Sequence, residues 1–472
     1  MSRVLKITVI GAGSATFSLG LVKDICLTEG LASSHITFMD VDAGRLEMIY
    51  KLASRYAQEL GANLTFDRTT DRRRALREAD FVINTASVVG HEDAIDMMHL
   101  GGKHGYYYNY ATYLAVYVHT NSLFMLDVAR DMEELCPEAW LIQSGNPVFE
   151  GCTLMTRKTG IRVCGLCHGH YGYRRICDQI GIDWRQVTWQ APGLNHNIWL
   201  THFLYQGQNA YPLVDEWIRS KGEAYWKLNI PARPLPESRQ GQWMPELQRA
   251  WEIELSRAAV HQYQMYGLLP IGDTPRNGGW WYHADLAARK YWYGEPYGGQ
   301  DTELSWPLYV QNLEKRVAEI ARLAQDPAAS LVQALGATKT QEQQVPIIDG
   351  LVNNTEGQFQ VNVPNNGALQ GLPDDVVVEV PAIVNQKGIQ PLRVGSLPRK
   401  IMLEQILPNW LEMERQLLAI ETGDRSILLW NRLHDGRTHS YEQACAFLED
   451  LLDQSYNQEM NAHYHWPANW IG

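Results

Sequence analysis

Cys167 and His168 stand together in the run Cys167-His168-Gly169-His170, and a further histidine, His196, follows inside Gly193-Leu194-Asn195-His196. A thiolate and an imidazole can hold a divalent transition metal. Upstream, Val9-Ile10-Gly11-Ala12-Gly13-Ser14 has the form of a strand running into a glycine turn, which is how a dinucleotide pyrophosphate is cradled. A soft metal site beside a nicotinamide would point to redox-assisted work on a hydroxylated substrate whose oxygens complete the metal's coordination. On spacing alone the plainer reading of Cys167 and His196 is the stronger one: a small buried hydrophobe and a hydrogen-bonded histidine.

The glycine turn gains from its context. Gly11 and Gly13 occupy the first two positions of the dinucleotide fingerprint, and Ser14 follows them into a predicted helix, but the third position is Thr16 rather than glycine. Asp40 closes the second predicted strand, where a carboxylate accepts hydrogen bonds from the adenine ribose and repels a 2′-phosphate, so NAD is expected over NADP. The competing reading is an ordinary strand–helix turn with Asp40 as a helix cap.

The elements that must position these residues alternate. Leu5–Ile10, His35–Asp40, Phe81–Ala86, Trp140–Gln143 and Ile161–Leu166 read as strands, with helices over Phe17–Thr28 and Arg45–Glu59. That cadence predicts an α/β fold, an N-terminal Rossmann-like doubly wound parallel sheet, followed by an α+β substrate domain. The expected division is residues 1–185 for NAD binding and 186–472 for substrate, metal and oligomerisation. In the second part, Val187–Gly207 reads as strand and hairpin, Pro231–Gln242 as loop, and Val376–Val380 as strand. Helices are expected over Pro245–Tyr266, Leu304–Leu323, Arg399–Thr422 and Ser440–Asp453.

Composition limits the function. A net charge of −12 over 472 residues argues against nucleic acid as a partner, and Arg72-Arg73-Arg74 is read as a solvated helix face. No apolar run reaches the roughly 20 residues that a membrane span needs. Seven scattered cysteines fit a reducing cytoplasm, and the redox reading of Cys164-Gly165-Leu166-Cys167 is weak because the pair falls on a predicted buried strand. Most of the 16 Trp and 23 Tyr are expected in the core and at subunit interfaces of a homodimer or homotetramer.

Taken together, Gly11-Ala12-Gly13-Ser14, Asn146-Pro147-Val148, Cys167-His168-Gly169, Gly193-Leu194-Asn195-His196 and Gly272-Asp273-Thr274-Pro275-Arg276 resemble glycoside hydrolase family 4, in the family's order. The family's NAD- and manganese-dependent members depart from the usual two-carboxylate glycosidase chemistry. The resemblance implies NAD and Mn²⁺ as cofactors, Cys167 and His196 as metal ligands, and Asn146 as a substrate contact beside the metal. It further implies His168 as general acid and Asp273 as base. By that analogy a hydride leaves C3, the C2 proton is lost, the C1–O bond breaks by elimination, and water adds before the hydride returns.

Relatives that act on 6-phosphosugars carry Cys-Asn where this chain has Cys167-His168, which disfavours a phosphosugar. Cys-His-Gly and the stretch Gly267–Gly278 resemble the uronidase branch, the α-glucuronidases above all. A small-molecule uronic-acid glycoside is therefore the expected substrate, with Arg276 reading its carboxylate and His170 assisting. The bulk of His170-Tyr171 keeps an α-galacturonidase or a neutral-sugar α-glycosidase open as alternatives. From other classes the rivals are an NAD-dependent 2-hydroxyacid dehydrogenase and a non-catalytic NAD-binding regulator.

Overall fold

The computed structural model describes residues 4–90, 93–107, 110–235 and 244–470. The expected loop over 231–242 lies, from residue 236 on, outside the described residues.

Six short segments, most of them apolar and buried, form the parallel part of the main sheet: β1 (Lys6–Ile10), β2 (His35–Met39), β3 (Thr65–Thr69), β4 (Phe81–Asn84), β5 (Trp140–Gln143) and β6 (Arg162–Gly165). Continuous burial of strands such as Phe81–Asn84 suits a sheet covered on both faces. Their order is β6-β5-β4-β1-β2-β3, with Ile7 opposite Ile36 on one side and Phe81 on the other. This is the Rossmann order, and its direction reverses between β1 and β4, so the carboxyl ends there open a crevice for a ligand.

The chain continues through β7 (Val187–Gln190), β8 (Gly193–Leu194), β9 (Asn197–Trp199), β10 (His202–Tyr205), β11 (Gln208–Asn209), β12 (Pro270–Ile271), β13 (Gly357–Pro364), β14 (Val377–Asn385) and β15 (Gly388–Pro391). The first sheet does not stop at residue 185. On the free edge of β6 the order runs on through β13, β14, β8, β9 and β12, all antiparallel to their neighbours, giving one sheet of 12 strands with β15 beside β14. Strands β7, β10 and β11 make a separate three-stranded sheet. The cores merge as well: Val361, Val363, Val378 and Val380 pack in one cluster with Ile142, Cys164 and Leu166.

Two expected helices are interrupted. Pro245–Tyr266 is two helices, Pro245–Trp251 and Arg257–Tyr266, because the Ser256 side chain accepts from Ala259 N and starts the second afresh. Arg399–Thr422 contains a π-turn at Met402–Ile406, and the Gln405 carbonyl there accepts a hydrogen bond from Asn197 Nδ2 at 2.9 Å. The long helix Tyr110–Leu135 was not expected, since β-branched and aromatic residues such as Val116, Tyr117 and Val118 obscure its helical bias. Among the described residues no helix is long and apolar enough to cross a membrane.

Candidate active site

Strand β6 ends at Gly165, and Leu166 N–H carries the pairing one residue further to the Gln143 carbonyl at 2.9 Å. Cys167 then turns out of the sheet at its carboxyl edge, half-buried, with the Gly169 amide donating to its Sγ at 3.4 Å. The turn Gly169–Tyr171 leads into the helix Gly172–Ile180. This tight path needs glycine. Gly272, at φ +63°, lies so close that a Cβ on it would collide with the Gly169 backbone, and the close approach brings the Asp273 loop against the Cys167 turn.

His196 arrives from the other end of the sheet. It sits with Asn195 in the tight connection between β8 and β9, at φ +62°, a left-handed conformation that costs a non-glycine residue about 1–2 kcal/mol. The Asn277 side-chain amide donates to the His196 carbonyl at 3.0 Å and helps hold that turn. Backbone strain of this kind concentrates at functional sites.

These two segments converge with a third. Ligand atoms of Cys167, His196 and Asp273 all lie within 4.8 Å of one another, a grouping able to hold a metal ion. His196 Nε2 is 3.3 Å from Asp273 Oδ2. Asp273 Oδ1 accepts from Gln300 Nε2 at 3.2 Å and pairs with Arg276 Nε, also at 3.2 Å. Burial pushes the Asp273 carboxyl up, but the charges of Arg276, His196 and Arg175 outweigh it and hold it at about 2. Burial drives the Cys167 thiol up, with the carboxylates of Glu379 and Asp273 adding to it, and it drives His196 down. A thiol resisting ionisation beside a neutral imidazole and an ionised carboxylate is a set whose charges a cation would reconcile.

The other expected site residues fall in distinct places. His168 points outward, its side chain 65% exposed, with Nε2 at 2.8 Å from Glu342 Oε2. Burial lowers its pKa, but the Glu342 hydrogen bond and charge prevail and raise it. His170 is buried: its Nδ1 meets the Cys167 carbonyl at 3.0 Å and its ring stacks on Trp189. Burial, then the charge of His168, lowers its pKa to about 3, so it braces the turn and brings no positive charge. Asn146 is exposed just beyond β5, its carbonyl accepting from Asn121 Nδ2 at 3.1 Å. Arg276 lies between two protein carboxylates, Asp273 and Asp301, with its side chain 16% exposed. A guanidinium so engaged clamps Asp273, which differs from the carboxylate-reading role expected of it.

The glycine turn lies at the same edge of the sheet. Gly11 N–H and Ala12 N–H both donate to the Met39 carbonyl, and Gly11 has φ +81°. Gly13 N–H donates to Asp40 Oδ2 at 2.7 Å, while Asp40 Oδ1 accepts from Asp42 N. Ser14 is exposed at the start of the helix Ala15–Cys26. Asp40 is not the cap of the next helix: Asp42 is, accepting from Gly44 N and Arg45 N.

Residues 6–182 match the sequence model of the family 4 glycosyl hydrolases, and residues 191–438 match that of their C-terminal domain. The chain belongs to glycosyl hydrolase family 4. It is 27% identical over 431 residues to an α-galactosidase of Bacillus subtilis (strain 168), covering 89% of each chain. It is 22% identical to an α-galacturonidase of the same organism, covering 84% of this chain and 85% of the relative. Its fold matches the crystal structure of a 6-phospho-α-glucosidase from gut microorganisms in complex with NAD and Mn²⁺, with a TM-score of 0.75 at 17% identity, over 98% of this chain and 100% of that one. Membership of a glycosidase family sets aside both the 2-hydroxyacid dehydrogenase and the non-catalytic regulator.

The family 4 site also contains residues that the sequence did not single out. Glu379 on β14, directly opposite Gly193 of β8, is buried and accepts from Asn195 Nδ2 at 3.0 Å, next to His196. Burial, against hydrogen bonds from Asn195, Asn362 and Gln360, raises its carboxyl to about 7. Glu342 holds His168, and Gln300 and Asp301 hold the Asp273–Arg276 pair. One signal was available: Glu379 is the lone acid in the apolar run Val376–Val380, a place where a charge is costly unless something uses it.

Proposed function

We propose that this family 4 glycosidase releases a terminal α-linked uronic acid, an α-glucuronide first and an α-galacturonide as the alternative, using NAD and a divalent metal, Mn²⁺ first. The observation that carries the cofactor reading is the convergence of Cys167, His196 and Asp273 at the sheet edge that also holds the Gly11–Gly13 turn. Both cofactors fit what is there. The Gly11–Gly13 turn presents backbone where a side chain would not fit, with the Asp40 carboxylate packed beside it, as a dinucleotide requires, and a thiolate, imidazole and carboxylate suit a first-row divalent ion. When bound, NAD supplies reversible hydride exchange at the sugar and the metal supplies Lewis acidity to its oxygens.

The chain's own groups do the rest. Cys167 and His196 would hold the metal, with Asp273 at its side. Asn146, exposed just beyond β5 at the carboxyl ends of the parallel strands, is assigned the contact to a sugar hydroxyl. Asp273, kept ionised by Arg276, accepts the C2 proton directly or through a water. His168, kept protonated towards neutral pH by Glu342, protonates the departing oxygen at C1. An α-galacturonidase among the relatives and the Cys167-His168 pair in place of Cys-Asn support an unphosphorylated acidic sugar. A homodimer or homotetramer in the cytoplasm is the expected setting.

A panel of 4-nitrophenyl α-glycosides and α-uronides, with NAD, Mn²⁺ and thiol, tests this. Nitrophenol release from a uronide without accumulating NADH is the expected result. Cys167→Ser should lose most activity and Mn²⁺ affinity while binding NAD normally. Full turnover by that variant after chelation and manganese restoration would remove Cys167 from the metal site. Preference for a neutral hexoside would overturn the uronide reading and leave the cofactor reading intact.

A further inference from the structure

The uronide reading requires a cation with donors to spare, and the two residues first expected to supply it do not. Arg276 is held between Asp273 and Asp301, and His170 is buried, its Nδ1 on the Cys167 carbonyl and its ring stacked on Trp189. The geometry points to Arg175 as the residue that binds the substrate's carboxylate and so sets the preference for a uronide over a neutral hexoside.

Arg175 stands one turn into the helix Gly172–Ile180, three residues after Gly172 and therefore on the same face. That face meets the Asp273 loop. A Cβ on Gly172 would lie 2.6 Å from Gly272 N and 3.0 Å from Glu254 Oε1. Gly272 immediately precedes Asp273, so the helix that carries Arg175 packs directly against the proposed base.

Its guanidinium is fixed by one edge only. Nε donates to Glu254 Oε1 at 2.6 Å, and Nη2 pairs with the same oxygen. Glu254 is its only hydrogen-bonding partner among the described residues. The Glu254 side chain is 2% exposed and the Arg175 side chain 29%, so the anchor is buried while the arginine keeps some accessible surface. A guanidinium has five N–H donors in a rigid fork, and an edge held by one carboxylate leaves Nη1 to meet a second. The buried anchor also fixes the long side chain in advance, so less conformational entropy is lost when substrate binds.

The assignment rests on the uronide reading, and the test separates the two. The enzyme loaded with NAD and Mn²⁺ is assayed on 4-nitrophenyl α-glucuronide and α-galacturonide and on the matching α-glucoside and α-galactoside. In Arg175→Gln, kcat/KM for the uronides should fall at least tenfold more than for the hexosides, mostly through KM, with Mn²⁺ and NAD affinities measured by calorimetry unchanged. Arg175→Lys, which keeps the charge but not the fork, should lose less. Because Arg175→Gln strands a buried Glu254, the double variant Arg175→Gln/Glu254→Gln is made in parallel and should show the same selective loss. A wild-type preference for uronides that survives in these variants, or equal losses on both substrate types, overturns the assignment alone. A wild-type preference for a neutral hexoside overturns the uronide reading and the assignment with it.

Discussion

Replacing Arg276 with alanine separates a clamp from a substrate reader. Arg276 Nε is 3.2 Å from Asp273 Oδ1, and the same guanidinium pairs with Asp301. At that distance, with an effective dielectric of about 20, the gross attraction to Asp273 is about 5 kcal/mol. Desolvation of both partners takes back much of it, and a charge-assisted contact of this kind nets about 1.5–3 kcal/mol. Arg276→Ala should therefore lower kcat/KM about 10- to 150-fold, because Asp273 loses the charge that holds it ionised and in place. The loss should be the same for uronides and neutral hexosides, since the group being disturbed acts on the C2 proton that both carry. Arg276→Lys, unable to span two carboxylates, should fall between wild type and alanine. The assay is kcat/KM on matched 4-nitrophenyl uronides and hexosides for all three proteins. A tenfold loss confined to the uronides would show that Arg276 reads the carboxylate after all.

Two further outcomes follow from other parts of the molecule. A Cβ on Gly13 would stand 2.7 Å from Asp40 Oδ2, so Gly13→Ala should weaken NAD binding at least tenfold by calorimetry; Gly102→Ala, where a Cβ meets nothing within 4 Å, is the control and should bind NAD as wild type does. Glu150 is buried, and burial followed by the charge of Glu412 raises its carboxyl from 4.5 to about 7. An acid raised on folding stabilises the native state fully below the unfolded pKa and loses that contribution as pH rises through the folded one. Wild type should thus lose up to about 3 kcal/mol between pH 4.5 and pH 8 from this group, and Glu150→Gln should be more stable than wild type at pH 8 and little different at pH 4.5. A stability difference independent of pH in thermal unfolding would exclude the mechanism.

Which parts of the site were legible depended on how far along the chain the partners lie. The Gly11–Gly13 turn and five of the six parallel strands follow from local apolar runs and glycine positions, and the structure agrees with them to within a few residues at the ends. The sixth, β3, escapes that reading because Thr65-Phe66-Asp67-Arg68-Thr69 is polar and half-exposed at the sheet's edge. The pairing of Arg276 with Asp273 is local, since three residues separate the two, and it competes with the carboxylate-reading role expected of Arg276. Glu379 and Glu342 were missed for the opposite reason, since 184 residues separate Glu379 from Asn195 and 174 separate Glu342 from His168.

The continuation of the sheet beyond residue 185 shows why these distant residues matter. The β13–β14 hairpin lies in the sheet between β6, which delivers Cys167, and β8, which leads to His196. Asn362 of β13 pairs with Gly165, two residues before Cys167, and Glu379 of β14 pairs with Gly193, three residues before His196. Gly165 has no room for a side chain, because a Cβ there would come within 2.9 Å of Cys152 Sγ. The spacing of the two proposed ligands is therefore set by two strands that carry neither of them. Asn362 and Glu379 stand directly opposite each other across the two strands, and Asn362 Nδ2 reaches the Gly165 carbonyl at 3.4 Å while Glu379 holds Asn195 Nδ2 at 3.0 Å, so side chains as well as backbones link the ligand strands. A metal site assembled this way depends on the whole sheet keeping its register, because a slip of one residue in β13 or β14 turns every side chain to the opposite face.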